Sequence, residues 1–143
     1  MTPDPFNLER FVAAQDRNYQ QVCAELAAGS KRTHWMWFIF PQLEGLGSSP
    51  TARRYALTGM AEASAYLTHD TLGPRLRECT GFVNALHGLT ALQIFGTPDD
   101  MKFRSSVTLF ALAAGSESVF HEALARYFDG KPDPVTLQFL RSA

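Results

Sequence analysis

Polar residues that interrupt apolar patterns carry the chemical information in this sequence, because a buried polar group left without a partner costs about 1–3 kcal/mol. Asp99, Lys102, Ser105 and Ser106 stand at i, i+3, i+6 and i+7. On a helix, Lys102 then faces both Asp99 and the two hydroxyls along one strip. A lysine in the first turns of a helix opposes the macrodipole and calls for compensation. In one reading Asp99 supplies it, as a surface ion pair worth about 0.3–0.5 kcal/mol. In the other, free amide N–H groups at the helix start, the Lys102 ammonium and the hydroxyls of Ser105 and Ser106 form an anion site. Asp99 and Asp100 at the same helix start oppose that site by repulsion. The order Lys-x-x-Ser reverses the Ser-x-x-Lys of serine acyl-enzymes, so that chemistry is not implied.

Two further groups break the apolar pattern. His34 precedes the run Trp35-Met36-Trp37-Phe38-Ile39-Phe40, and Gln42 follows the proline that ends it. An imidazole titrating near its unperturbed value of about 6.5 suits proton transfer when a carboxylate orients it. The sequence names no such carboxylate, and a histidine satisfied in the core or at a cap is the alternative. Gln15 projects within about 20° of the centre of an apolar stripe. It is either satisfied by core backbone groups or, with Tyr19 one turn on, lines a polar cavity. His69, His87 and His121 are scattered, with neither an H-x-x-x-H pair nor a cysteine pair beside them, so no metal or cofactor is expected. Gly45-Leu46-Gly47-Ser48 lacks the ending of a phosphate-binding P-loop. The basic pairs Lys31-Arg32, Arg53-Arg54 and Arg75/Arg77 read as solvated faces.

The elements that must position these groups follow a helical period. From Leu8, apolar residues recur at Phe11, Val12, Tyr19, Val22, Cys23 and Leu26 on one stripe, and Gly29 suits the position after the helix end. The aromatic run predicts a short helix ended by Pro41, and residues 43–49 a loop. Ser49-Pro50 reads as a cap and first position of a helix running through Leu57. A short helix over 61–67 leads to the His69-Asp70 corner. Leu72, Leu76, Cys79, Val83 and Leu86 predict the next. Thr97-Pro98-Asp99-Asp100 reads as a helix start, and residues 106–114 are apolar nearly all round, marking a central helix. Gly115-Ser116 closes that helix and caps one bearing Phe120, Leu124 and Phe128. Asp133-Pro134 opens the last. The expectation is an all-α, single-domain bundle of about seven helices spanning residues 1–143, with no strand.

Composition limits the functions such a bundle serves. The chain has 143 residues, 45% of them hydrophobic and 12% aromatic, and a formal net charge of −1. A chain of this size buries roughly 68–70% of its unfolded surface, so its core needs no disulfide or metal. Near-neutral charge gives no global attraction to nucleic acid or anionic membrane. Cys23 and Cys79 form no framework and sit on apolar stripes, which suits buried thiols in a reducing, cytoplasmic setting. The first residues do not read as a signal peptide, and the longest apolar run, Trp35–Phe40, is far below the ~20 residues that span a bilayer.

Several segments together resemble the bacterial and fungal family named domain of unknown function 1810. These are His34 to Leu43 with Gly45-Leu46-Gly47-x-Ser49; Phe11-x-x-Ala14-Gln15 with Tyr19; Tyr66-Leu67-x-His69-x-x-Leu72-Gly73-x-Arg75-Leu76; Phe95-Gly96-x-x-Asp99-x-x-Lys102-x-x-Ser105-Ser106-x-Thr108-Leu109-Phe110; and Tyr127-Phe128-x-Gly130-x-x-Asp133-x-x-Thr136-Leu137. The likeness runs over nearly the whole chain in order. It implies a compact, largely helical fold and assigns no activity or catalytic role. Some relatives carry the label calpastatin, a disordered calpain inhibitor, and the dense apolar pattern here argues against that role.

Two functions are carried forward. The first is a pocket for a small molecule, anionic or nucleotide-like, built from Gln15, Tyr19, His34, Trp35, Gln42, Arg75, Asp99, Lys102, Ser105 and Ser106. If it is catalytic, His34 is the proton carrier, Lys102 the charge stabiliser and Ser105 a third candidate. The second is an adaptor that docks a partner protein through a partly exposed Trp35–Phe40 segment. A monomer is favoured.

Overall fold

A computed structural model describes residues 3–116 and 118–142. Its elements are α1 (Glu9–Asp16), α2 (Tyr19–Ala28), α3 (Met36–Ile39), α4 (Pro50–Arg54), α5 (Met60–Thr68), α6 (Leu72–Asn84), α7 (Ala91–Phe95), α8 (Asp99–Ala114), α9 (Val119–Phe128) and α10 (Pro134–Ser142). The fold is all-α, with ten helices among the described residues where the periodicity predicts about seven. An isolated parallel bridge joins Leu43 to Leu57.

The added helices have local causes. The stripe from Leu8 to Leu26 is continuous in sequence but breaks at Arg17-Asn18, because α1 packs against α3 while α2 packs against α6. One straight helix cannot present the same face to both. Helix α7 starts at a capping box, in which Thr90 Oγ1 accepts from Gln93 N and the Gln93 side chain accepts from Thr90 N. Helix α4 stops at Arg54 rather than reaching Leu57. Leu57 N instead donates to Gln42 O, and Glu44 N donates to Leu57 O, at 2.9 and 2.8 Å. That exchange pins the 43–49 loop to the core.

Other termini follow the sequence closely. Ser49 caps α4 by accepting from Ala52 N, with Pro50 at the first position. Gly29 closes α2 at φ 71°, a left-handed conformation that costs a residue without Cβ little. Two expected caps move. Ser118, not Ser116, caps α9, accepting from Phe120 N and His121 N. Thr97 does not cap α8, whose start lies at Pro98.

Helix α8 is the centre. Its run from Ser105 to Ala111 is buried throughout, and α5, α7, α9 and α10 all pack against it. Phe103 stacks on Phe95 with ring centroids 4.6 Å apart and meets Phe40 edge-on at 4.9 Å. Tyr66 joins Phe11 at 5.1 Å to Phe110 at 5.3 Å. The aromatic rings thus form two sets, one around Phe103 and one around Tyr66, and each links the aromatic run at α3 to α8, each pair adding about 0.5–1.5 kcal/mol beyond burial.

Candidate functional site

The first turns of α8, α3 and the 43–49 loop enclose a cleft that α10 borders on its far side. Its inner recess, lined by Trp37, Phe40, Gln42, Tyr55 and Lys102 among others, has a volume of about 10 Å³, room for about one water. The outer cleft measures about 490 Å³ and is bordered by Gln42, Leu46, Ser48, Met101, Lys102, Ser105 and Val135 among others. That volume falls within the range of small-molecule sites. Gln42 and Lys102 border both parts. Gly47 forms the near wall, and a Cβ there would lie 2.6 Å from Ala52 Cβ. Only glycine lets the loop lie this close to α4.

Lys102 is the charged group of this cleft. Its ammonium lies 5.6 Å from the centroid of the half-buried Trp37 ring, a cation–π arrangement. It lies 3.7 Å from Asp99 Oδ1, at the edge of an ion pair, because Asp99 Oδ2 is held by Lys31 Nζ at 2.8 Å. The Lys31 side chain is only 7% exposed and its ammonium lies 5.1 Å from the Trp35 ring centroid. One carboxylate therefore serves two lysines, tightly on one side and loosely on the other.

The helix start contributes less than its sequence suggests. Asp100 N donates to Gly96 O, and the amides of Met101 and Lys102 both donate to Pro98 O. These N–H groups are satisfied by backbone, which removes them from the anion site expected at this terminus. Ser105 Oγ donates to Asp133 Oδ2 at 2.7 Å, with Met101 O at 3.1 Å as a second acceptor. The same Oδ2 accepts from Thr136 Oγ1 and Thr136 N, at 2.6 and 3.2 Å, and Asp133 N donates to Thr108 Oγ1. Burial pushes the Asp133 carboxyl up, but bonds from the Thr136 and Ser105 hydroxyls and nearby amides outweigh it and hold the group below its ordinary value. This web fastens the start of α10 to α8. Ser105 thereby serves a helix cap, and Ser106 is fully buried with its hydroxyl unpartnered.

The remaining predicted site residues lie elsewhere. Gln15 is buried, donating to Phe38 O at 2.7 Å and to Tyr66 Oη at 3.0 Å, with Arg75 Nη1 donating to its Oε1 at 3.4 Å. Arg75 also pairs with Asp16 at 2.9 Å and lies 4.8 Å from the Tyr19 ring centroid. The Tyr19 hydroxyl donates to Glu78. Burial and that carboxylate raise the Tyr19 hydroxyl far above its ordinary range, and burial first of all pushes the adjoining Cys79 thiol up to about 12. Gln15, Tyr19 and Arg75 thus form a second cluster, between α1, α2 and α6. Trp35 is buried and donates its indole N–H to Glu25 Oε1 at 3.0 Å. His34 is exposed, between two residues that bond to Glu25. Of the expected set, the structure brings Gln42, Asp99, Lys102 and Ser105 together and leaves Gln15, Tyr19, Arg75, Trp35, His34 and Ser106 apart.

Three important residues escape sequence reasoning. Glu25 is 3% exposed and its carboxylate accepts from Arg32 N, Thr33 N, Thr33 Oγ1, Gln21 Nε2 and Trp35 Nε1. Burial raises its pKa, but the Thr33 hydroxyl, the Arg32 amide, the Gln21 amide and the Thr33 amide together lower it to about 2. Its signal is a place three residues after Val22 and next to Leu26, on the apolar stripe. Lys31, read as a solvated charge, is the closed partner of Asp99. Trp37 rather than Trp35 faces the cleft, and only the i, i+2 offset inside the aromatic run distinguishes them. Elsewhere Arg10 reaches Glu62 at 3.0 Å and the carbonyls of Phe6, Asn7, Arg54 and Ala56, which fixes α1 on the chain before α5.

The class defined by these observations is a helical domain with a small cleft at the start of its central helix, floored by a lysine and a tryptophan. Residues 5–140 match the family described as protein of unknown function (DUF1810), and the chain belongs to that family. It is similar to the conserved hypothetical protein Rv1873 from Mycobacterium tuberculosis, known from a crystal structure at 1.38 Å. The two share 55% sequence identity over 96% of this chain and 99% of that one, with a TM-score of 0.95. No curated protein matches the chain. Among the described residues, no helix is long and apolar enough to cross a membrane.

Proposed function

We propose that this protein binds a small molecule through a negatively charged group seated on Lys102. The observation that carries the reading is the unequal sharing of Asp99. Lys31 holds the carboxylate at 2.8 Å, and Lys102, at 3.7 Å, keeps donors for another anion at the mouth of the inner recess. Trp37 lies beneath it in the inner recess, where its ring senses the charge on the ammonium. Binding, rather than nucleophilic catalysis, fits the placement of the three catalytic candidates. The Ser105 hydrogen is directed at Asp133, and His34 is exposed and borders neither the recess nor the outer cleft. Docking of a partner protein through the aromatic segment would rest on Trp37, since Trp35, Phe38 and Phe40 are buried. The free thiols Cys23 and Cys79 suit a cytoplasmic setting, and the likeness to a mycobacterial protein suits a bacterial source.

Titration with acetate, octanoate, inorganic phosphate and a nucleoside monophosphate, followed by tryptophan emission, tests the reading. At least one anion gives a saturable change that Trp37→Phe removes and Lys102→Ala abolishes. Lys102→Ala moves Tm by no more than about 2–4 °C, the size of a loss below 1 kcal/mol. A wild-type chain silent to every anion overturns the reading.

A further inference from the structure

Two features of the cleft narrow the ligand class, given that Lys102 is its anchor. The first is charge. Among the described residues bordering the outer cleft and its inner recess, Lys102 is the one cation and Asp133 is a carboxylate. Asp99 lies 3.7 Å from the ammonium, but its charge is matched by Lys31 at 2.8 Å. A phosphate dianion entering here meets one ammonium beside the Asp133 carboxylate, with Asp99 already paired to Lys31, and must shed a large hydration shell to do so. A single negative charge is matched by Lys102 with less repulsion.

The second feature is an apolar rim. Met101 on α8 and Val135 on α10 expose 48% and 44% of their surface and border the same outer cleft. Leu46 joins them from the loop, partly buried. Singly exposed apolar side chains are ordinary. Three that border one cleft with a single cation make an amphipathic surface, which a ribose or phosphate covers poorly and a hydrocarbon body covers well.

We infer that the cleft takes a monoanionic amphiphile, with a carboxylate on the Lys102 ammonium beside Gln42 and an alkyl or aryl body against Met101, Val135 and Leu46. Such a ligand gains from both features at once. A methylene buried on all sides gains roughly fourfold in affinity, so one covered on a single side by the rim gains about twofold.

The experiment is a calorimetric titration with acetate, butanoate, hexanoate and octanoate, then with octyl phosphate at pH 8 and a nucleoside monophosphate. Affinity is expected to rise about twofold per methylene while the tail lies on the rim. Octyl phosphate, a dianion at that pH, is expected to bind more weakly than octanoate. Val135→Asn and Met101→Asn should each weaken octanoate severalfold and leave acetate unchanged, while Lys102→Met weakens every carboxylate. Affinity independent of tail length, or tighter binding of octyl phosphate or the nucleotide, overturns the amphiphile assignment while leaving Lys102 as an anion site. Silence toward all of these ligands overturns that anion site as well. Circular dichroism of each variant separates lost binding from lost folding.

Discussion

Lys31 and Lys102 share two contacts by type: a tryptophan face and the Asp99 carboxylate. They end in opposite states. Lys31 lies 5.1 Å from the Trp35 ring centroid and 2.8 Å from Asp99, with its side chain 7% exposed; Lys102 lies 5.6 Å from Trp37 and 3.7 Å from Asp99, with 25% exposed. Availability is thus decided by burial and by which oxygen of a shared carboxylate is already taken, and not by residue type. Trp35 is itself fixed by Glu25, so the closed half rests on a second anion bonded to its tryptophan.

The largest effect should come from removing that second anion. Glu25→Ala leaves the Trp35 indole N–H and the Arg32 and Thr33 amides without their acceptor, and should cost about 4 kcal/mol in urea unfolding, since each orphaned buried donor costs about 1–3. The carboxyl is held near 2 in the fold against an ordinary 4.5. Its stabilisation is therefore present above about pH 4.5 and lost as pH falls toward about 2, by roughly 3 kcal/mol in all. Glu25→Gln should flatten that part of the acid limb. If it does not, Glu25 is not the group that carries it.

Next in size is Lys31→Ala, which leaves Asp99 without its close partner and should cost about 2–3 kcal/mol. The comparison sharpens in a double-mutant cycle. Lys31 and Asp99 should couple by more than about 1 kcal/mol, while Lys102 and Asp99 couple by less than about 0.5, the range of exposed pairs. Equal couplings would erase the distinction between the two lysines. The smallest expected change is the stability of Lys102→Ala, below about 1 kcal/mol.

Legibility in the sequence followed whether a signal was local. The apolar run from Ser106 to Ala114 announced the central helix, and Ser49-Pro50 announced the start of α4, because both signals lie within a few residues. The break at Arg17-Asn18 was not legible, since its cause is the different partners of α1 and α2. Lys102 and Gln42 emerged as candidates from types and spacing. Lys31 and Trp37 did not, because what separates Lys31 from Lys102, and Trp37 from Trp35, is depth in the fold. For Gln15, a polar group on an apolar stripe, the sequence leaves open a core residue satisfied by backbone or a cavity lining, and the first holds. Its partners, Phe38 O and Tyr66 Oη, come from 23 and 51 residues away.

The fastening of α10 has a consequence for how tightly the cleft can hold anything. Asp133 ties the start of that helix to Ser105 and Thr136, and Arg104 holds the carbonyls of Lys131 and Pro132 at 3.1 and 3.2 Å. The wall that carries Val135 is therefore in place before a ligand arrives. Association then orders the guest and few host side chains, which spares much of the conformational entropy that a mobile wall would lose. A fixed gap also sets a ceiling on girth.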